Sequence, residues 1–153
     1  MNVRELMIKD VIQVTQDTPL KEVLGLFVRH KIGGAPVVNE RGQLTGMVSD
    51  GDVLRFIKPI SPKYVNLFSY YVELDRVQAE ELIPAQLERP VRDCMKKSNL
   101  VTLQESDGFE ELVSILSRHH FKKVPVLDPD RRVVGVISRG DVLRYIVSKW
   151  IQP

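Results

Sequence analysis

A duplication limits what this chain can fold into. The segment GMVSDGDVLRFI, from Gly46 to Ile57, returns as GVISRGDVLRYI, from Gly135 to Ile146. The copies stand 89 positions apart (138 − 49 for the paired serines), and the same offset carries His30 onto His119, Pro36 onto Pro125, Val37 onto Val126 and Asp52 onto Asp141. Nearer the N-terminus Val3, Arg4 and Met7 match Val91, Arg92 and Met95 at an offset of 88, as one small insertion or deletion would leave. Self-similarity at a fixed period is the mark of a repeated supersecondary unit. The expected organisation is repeat 1 at 1–57, an insert at 58–90 and repeat 2 at 91–153.

Each copy carries the same pattern. VIQV (11–14) and LVTL (100–103) are short β-rich runs, each followed by a turn whose Asp, Thr or Ser can cap a helix. Leu20, Val23, Leu24, Leu26 and Phe27 then follow helical spacing, as do Phe109, Leu112, Val113 and Leu116. Two strands around a turn come next, APVV and LTGMVS in one copy, VPVL and VVGVIS in the other, and the last strand runs into DVLRFI or DVLRYI. The order β-α-β-β-α, twice, is an α/β arrangement. A unit so small cannot bury an adequate core alone, so the two copies should pack face to face.

The insert differs in character. Pro59, Pro62, Pro84 and Pro90 punctuate it, and Tyr64, Leu67, Phe68, Tyr71, Val72 and Leu74 form an apolar stripe that predicts a mainly helical stretch between Lys63 and Ile83. Its roles divide between a connector covering core or a subunit interface and a lid or docking surface.

Composition removes several function classes. With 22 Lys and Arg against 20 Asp and Glu, the net charge of +2 supplies no broad field for gripping a polyanion, and nucleic acid is not an expected partner. No stretch approaches the roughly 18 apolar residues of a membrane span, so no membrane association is expected. Cys94 is the only cysteine, which fits a reducing, cytoplasmic setting and leaves a Cys-based zinc site without ligands. No His-Cys-carboxylate cluster has metal spacing, and neither a Gly-x-Ser-x-Gly elbow nor a P-loop occurs. Asp50 and Asp52 could act as acid and base, but nothing places a second catalytic group beside them, and no enzyme activity or required cofactor is expected.

The strictly repeated strings sit at a strand-to-helix junction, where exposed amides and a helix N-terminus favour an anionic ligand. Ser49 or Ser138 can cap the helix, with Asp52 or Asp141 in its first turn. That capping role explains the pair without any ligand. A hydroxyl and a carboxylate so placed can also share the hydroxyls of a ribose, with Ala35-Pro36 or Val124-Pro125 as flat walls for a base.

The pattern Gly-hydrophobic-x-Ser-x-x-Asp after a hydrophobic-Pro-Val strand, repeated in tandem, resembles the cystathionine beta-synthase (CBS) domain pair. The resemblance covers Val3 to Ile57 and Val91 to Ile146. It implies a pseudo-twofold module with two clefts that bind adenosine derivatives: AMP, ADP, ATP, S-adenosylmethionine, sometimes NAD or a dinucleotide. It also implies that each cleft draws its Ser and Asp from one repeat and its base-contacting segments from the other. One cleft would then use Ser138 and Asp141 with Met7, Asp10, Ile12, Gly33, Gly34 and Ala35. The second would use Ser49 and Asp52 with Met95, Asn99, Val101, Lys122, Lys123 and Val124.

The two clefts differ in charge. Lys122-Lys123 precede the repeated proline segment in one repeat where Gly33-Gly34 stand in the other, while Asp50 in the first Ser-x-x-Asp motif becomes Arg139 in the second. Two ammonium groups suit a polyanion. The Ser49/Asp52 cleft is therefore expected to take phosphate charge on Lys122 and Lys123, and the other to rely on Arg139; the alternative for each lysine is a solvated surface cation. His30, His119 and His120 end the first helix of each repeat, where a cation is favourable, and His120 could instead meet a phosphate. The resemblance further implies a homodimer formed through helices, here those ending in Arg55-Phe56-Ile57 and Arg144-Tyr145-Ile146, and an unknown regulated protein. A ligand-free interaction module is the alternative function.

Overall fold

The computed structural model describes residues 1–58, 63–67, 70–74, 79–118, 120 and 123–152. Repeat 1 contains a short helix α1 (Val3–Leu6), β1 (Val14–Thr15), α2 (Leu20–His30), β2 (Gly34–Val38), β3 (Leu44–Ser49) and α3 (Asp50–Ile57). Repeat 2 runs through a 3-10 turn (Val91–Asp93), β6 (Leu103–Gln104), α5 (Phe109–Arg118), β7 (Val124–Leu127), β8 (Val133–Ile137) and α6 (Arg139–Ile146), which ends in a π-helical turn (Val147–Ile151). The expected β-α-β-β-α order is present twice. In each repeat the first strand lies parallel to the second and the second antiparallel to the third, with a register shift at Val37/Val38 and at the matching Val126/Leu127.

The insert departs from expectation. Lys63–Leu67 (β4) and Tyr70–Leu74 (β5) pair as antiparallel strands, and a helix begins only at Ala79–Leu87 (α4). Tyr64, Leu67, Tyr71, Val72 and Leu74 thus lie on strands, while Phe68, Pro59 and Pro62 are outside the described residues. Runs as short and as rich in Tyr and Val as KYVNL and YYVEL satisfy both periodicities, and β-propensity prevails. Among the described residues no helix is long and apolar enough to cross a membrane.

Each repeat's leading segment completes the other repeat's core. Val91 is fully buried with Val14, Leu20, Val23, Phe27, Val37, Val48 and Val53, whereas Val3 is fully buried with Leu103, Leu112, Leu116, Val126 and Ile137. Backbone bonds repeat the exchange: Val91 N–H donates to Thr18 O and Val3 N–H to Asp107 O, both at 2.8 Å. The two β-hairpin turns also meet, with Leu44 N–H donating to Arg131 O (3.2 Å) and Val133 N–H to Gly42 O (3.0 Å). These matched bonds define the pseudo-twofold relation, and neither copy buries its core without the other.

The hairpin turns provide a built-in pH comparison. Asn39 Oδ1 accepts from Arg41 and Gln43 N–H, and Asp128 Oδ1 accepts from Asp130 and Arg132 N–H in the same way. Asp128 additionally holds Arg132 Nε at 2.8 Å. Desolvation pushes the Asp128 carboxyl up, but the hydrogen bonds and charge of Arg132 outweigh it and hold the group below its ordinary 3.8. A carboxyl lowered in the folded state stabilises the fold above about pH 4 and loses that contribution as pH falls through its folded value. Asp128→Asn, which copies Asn39, should therefore flatten the fall of Tm below about pH 4. An acid limb unchanged in the variant would reject this assignment.

Candidate functional site

A cavity of about 330 Å3 opens between the repeats. Gly34, Met47, Val48, Ser49, Asp50, Gly51, Asp52 and Arg55 line it from repeat 1, and Lys96, Leu100, Val101, His120, Lys123 and Pro125 from repeat 2. Its size and mixed lining suit a small ligand with an apolar body and a polar end.

Ser49 ends β3 in extended backbone and begins α3. Its Oγ accepts from Asp52 N–H at 3.2 Å, while Asp52 Oδ2 accepts from Ser49 N–H (2.9 Å) and Ser49 Oγ–H (3.0 Å). Asp141 Oδ2 accepts the same two bonds from Ser138, both at 2.7 Å. The capping role foreseen for the Ser-x-x-Asp motif is thus present in both repeats. Arg55, one turn on, donates Nη2 to Asp52 Oδ1 at 2.8 Å, and Arg144 pairs with Asp141 in the same manner. A carboxylate has about four acceptor positions, so Asp52 keeps one on Oδ1 and regains a second if Arg55 leaves. The Arg55 side chain is 72% exposed, and an ion pair of that kind contributes about 1 kcal/mol or less. A ligand hydroxyl can displace it.

Of the residues expected around Ser49 and Asp52, Val101 and Lys123 line the cavity. Lys122, like His119, lies outside the described residues. Met95, Val124 and Asn99 are not among its lining residues. Met95 packs against Gly46, where an added Cβ would sit 2.9 Å from its Sδ. Val124 is 1% exposed, inside the core of repeat 2. Asn99 is an exposed residue with φ +53°, in the left-handed region that asparagine tolerates.

Around Ser138 and Asp141 the expected set is spread more widely. Met7 packs against Gly135, Ala35 is fully buried in the core of repeat 1, and Gly33 O accepts from Asp50 N–H at 2.9 Å. Gly34 opens β2 and lines the first cleft, Asp10 is exposed and Ile12 half-buried. Arg139 donates Nε to Leu116 O at 3.1 Å and lines a groove between α5 and α6 with Val113, Leu143 and Ile146. Through that bond Arg139 is held against its own repeat's helix.

Pattern reading passed over Arg55, Lys96 and Leu100. Arg55 had a signal, its i,i+3 spacing from Asp52 on one helix face. Lys96 had none, because its place depends on pairing between repeats. His120 is in the cleft wall and also borders the groove between α5 and α6. Cys94 lies beside Asp52 and Arg55; burial first, then the charges of Asp52 and Asp93, push its thiol up to about 11, so it stays protonated and weakly nucleophilic near neutral pH. Among the described residues no group of three or more His, Cys, Asp or Glu could hold a metal.

A family model described as CBS domain matches residues 3–59 and 91–148. The chain belongs to the CBS domain family. This CBS domain protein is 33% identical over 149 residues to the chloroplastic CBS domain-containing protein CBSX1 of Arabidopsis thaliana, an alignment covering 93% of this chain and 62% of that one. It thus spans less than two thirds of that relative's length. CBSX2 of the same plant, in a crystal structure in complex with AMP, is similar with a TM-score of 0.72 and 27% identity over 96% of each chain. The CBS domain pair of protein MJ0100, in complex with 5′-methylthioadenosine and S-adenosyl-L-methionine, shares the fold at a TM-score of 0.68 and 21% identity, over 97% of this chain and 98% of that one.

Proposed function

We propose that this CBS pair is a regulatory module that binds an adenine nucleotide or another adenosine derivative between its two repeats, at 1–57 and 91–153, and signals by a change of shape or association. The observation that carries this reading is the Ser49/Asp52 cleft, because both repeats wall it and the residues that suit a ribose and an anion meet there. A ligand touching both walls favours one relative arrangement of the repeats over others, which is the condition for transmitting a signal. AMP bound to CBSX2 supports the ligand class. AMP, ADP and ATP are the first candidates, with S-adenosylmethionine and NAD after them. Ser138 and Asp141 would serve the second cleft.

Association would run through the helices. Leu54 on α3 and Leu143 on α6 are pseudo-twofold equivalents that are 64% and 61% exposed, and Val28, Val113, Val147, Trp150 and Ile151 are exposed as well. Apolar residues gathered on helix faces favour a homodimer and offer a regulated partner a surface. The same faces support the second reading, a ligand-free interaction module.

A thermal-shift panel with AMP, ADP, ATP, S-adenosylmethionine and NAD separates the two. A ligand at a hundredfold over its Kd stabilises by about 2.7 kcal/mol, which raises Tm by several degrees in a chain of this size. Asp52→Ala should weaken the responding ligand by about tenfold or more, since a hydrogen bond to a charged group contributes about 1.5–3 kcal/mol. No shift with any compound would favour the interaction module.

A further inference from the structure

Asp52 and Arg55 stand between two cavities. Both line the Ser49 cleft, and both line a second cavity of about 280 Å3 that Phe56, Asp93 and Cys94 complete. Asp93 in turn holds α4. Its Oδ2 accepts from Arg89 Nε at 2.8 Å and lies 2.7 Å from Nη2, and the Arg89 guanidinium sits 5.8 Å from the centre of the Phe56 ring on α3. Lys21 on α2 donates to Oε1 of the neighbouring Glu88 at 2.8 Å. These contacts latch the C-terminal end of α4 onto α2 and α3. The helix needs them, because nine residues with Pro84 inside are too few and too interrupted to stay ordered alone.

Arg55 thus has a carboxylate in each direction. It is bound to Asp52, but its side chain is mostly exposed and such a pair holds weakly. Asp93 uses Oδ2 for Arg89 and keeps Oδ1 without a bond among the described residues. We infer that Arg55 is a two-position switch that couples the first cleft to α4: a ligand hydroxyl taking its place on Asp52 turns it to Asp93, and the second guanidinium there loosens Arg89. This rests on the adenosine-binding reading above. Two cations on one carboxylate repel each other and share its charge, so each is held less firmly than one alone. Within the first cleft Asp50 and a ligand phosphate compete for Arg55, while Lys96 and Lys123 on the other repeat's wall oppose its turning that way. An arginine kept in the cleft would leave the latch on α4 closed. At the offset of 88, Arg89 and Asp93 fall on Met1 and Glu5, so repeat 2 has no arginine at the matching place. The insert becomes the element that reports whether the first cleft is filled.

Amide hydrogen exchange in the full chain, with AMP or adenosine at saturation and without either, tests this. Ligand should slow exchange in the core strands yet speed it across α4 by about threefold to fivefold, the size expected of a shift between two weak ion pairs. Arg55→Ala should abolish the speeding of α4, and Arg55→Lys, which keeps the charge, should restore part of it. Asp93→Ala should leave α4 fast with and without ligand. Asp52→Ala frees Arg55 with no ligand present and should speed α4 by the same factor, an effect that adding Arg55→Ala cancels; fraying of α3 by the lost cap would survive that addition. A response of α4 that persists in Arg55→Ala overturns the switch, as does a bound ligand that leaves α4 unchanged in the unsubstituted chain. If neither compound binds, the adenosine reading fails, and the ligand-free comparison of Asp52→Ala with the Asp52→Ala/Arg55→Ala pair still decides the switch.

Discussion

Leu112→Ala should lower stability by about 2–5 kcal/mol, and Leu20→Ala by a similar amount, because each removes a fully buried side chain and leaves a cavity that its neighbours fill only in part. In a chain of this length such a loss lowers Tm by roughly 10 °C. The more telling feature is the shape of the transition. Leu112 belongs to the core of repeat 2 and Leu20 to that of repeat 1, yet Val3 seals the former and Val91 the latter. Neither core can open without losing a residue that belongs in sequence to the other repeat. Both variants should therefore move a single transition in urea, followed by far-UV dichroism and by Trp150 fluorescence alike. Two separated steps in either variant would show that the repeats fold independently and that the exchanged segments contribute little.

The cleft inherits this exchange. Lys96 reaches the first cleft because Val91, Cys94 and Met95 pack on the core of repeat 1, and the seam bond to Met47 then fixes the next residue. A ligand between the repeats acts on the same backbone segments that hold the repeats together. Binding and coupling are consequently hard to separate by mutation at the seam, and easier at Asp52, whose bonds beyond its own helix turn are few.

What the sequence disclosed follows from which interactions are local. The Ser-x-x-Asp capping box, the helix at 20–30 and the strands at VPVL and LTGMVS are decided by near neighbours and by period, and they are where the pattern put them. The insert was misread because KYVNL and YYVEL are too short for period to separate strand from helix. Several of the expected site residues also carry structural contacts, which were not legible for a different reason. Met7 and Met95 hold the repeats together through glycine contacts, Val124 and Ala35 are core, and Arg139 satisfies the Leu116 carbonyl. None of these roles follows from spacing, since each depends on which element lies opposite. The repeated Gly46 and Gly135 were the one available sign that two backbones come close there.

Those glycines carry the last prediction. A Cβ at Gly46 would lie 2.8 Å from the Lys96 carbonyl oxygen and 2.9 Å from Met95 Sδ, while at Gly135 its three nearest neighbours would all be Met7 side-chain atoms, including Cγ at 2.7 Å and Cβ at 3.0 Å. The Met7 sulfur and Cγ can turn aside and its Cβ is at the edge of tolerable contact, but the Lys96 oxygen is held by Met47 N–H and can move only with its strand segment. Gly46→Ala should thus cost about 1–3 kcal/mol, as an overpacked contact with backbone does, and Gly135→Ala less. The two substitutions should differ in function as well. Displacing Lys96 shifts one wall of the first cleft, so Gly46→Ala should weaken the ligand that Asp52 holds, while Gly135→Ala leaves that ligand nearly unchanged. Urea unfolding and titration of the same two proteins measure both effects. Equal destabilisation by the two alanines would mean that the seam yields at Lys96 as readily as at Met7, and that Lys96 is not a stiff part of the first cleft's wall.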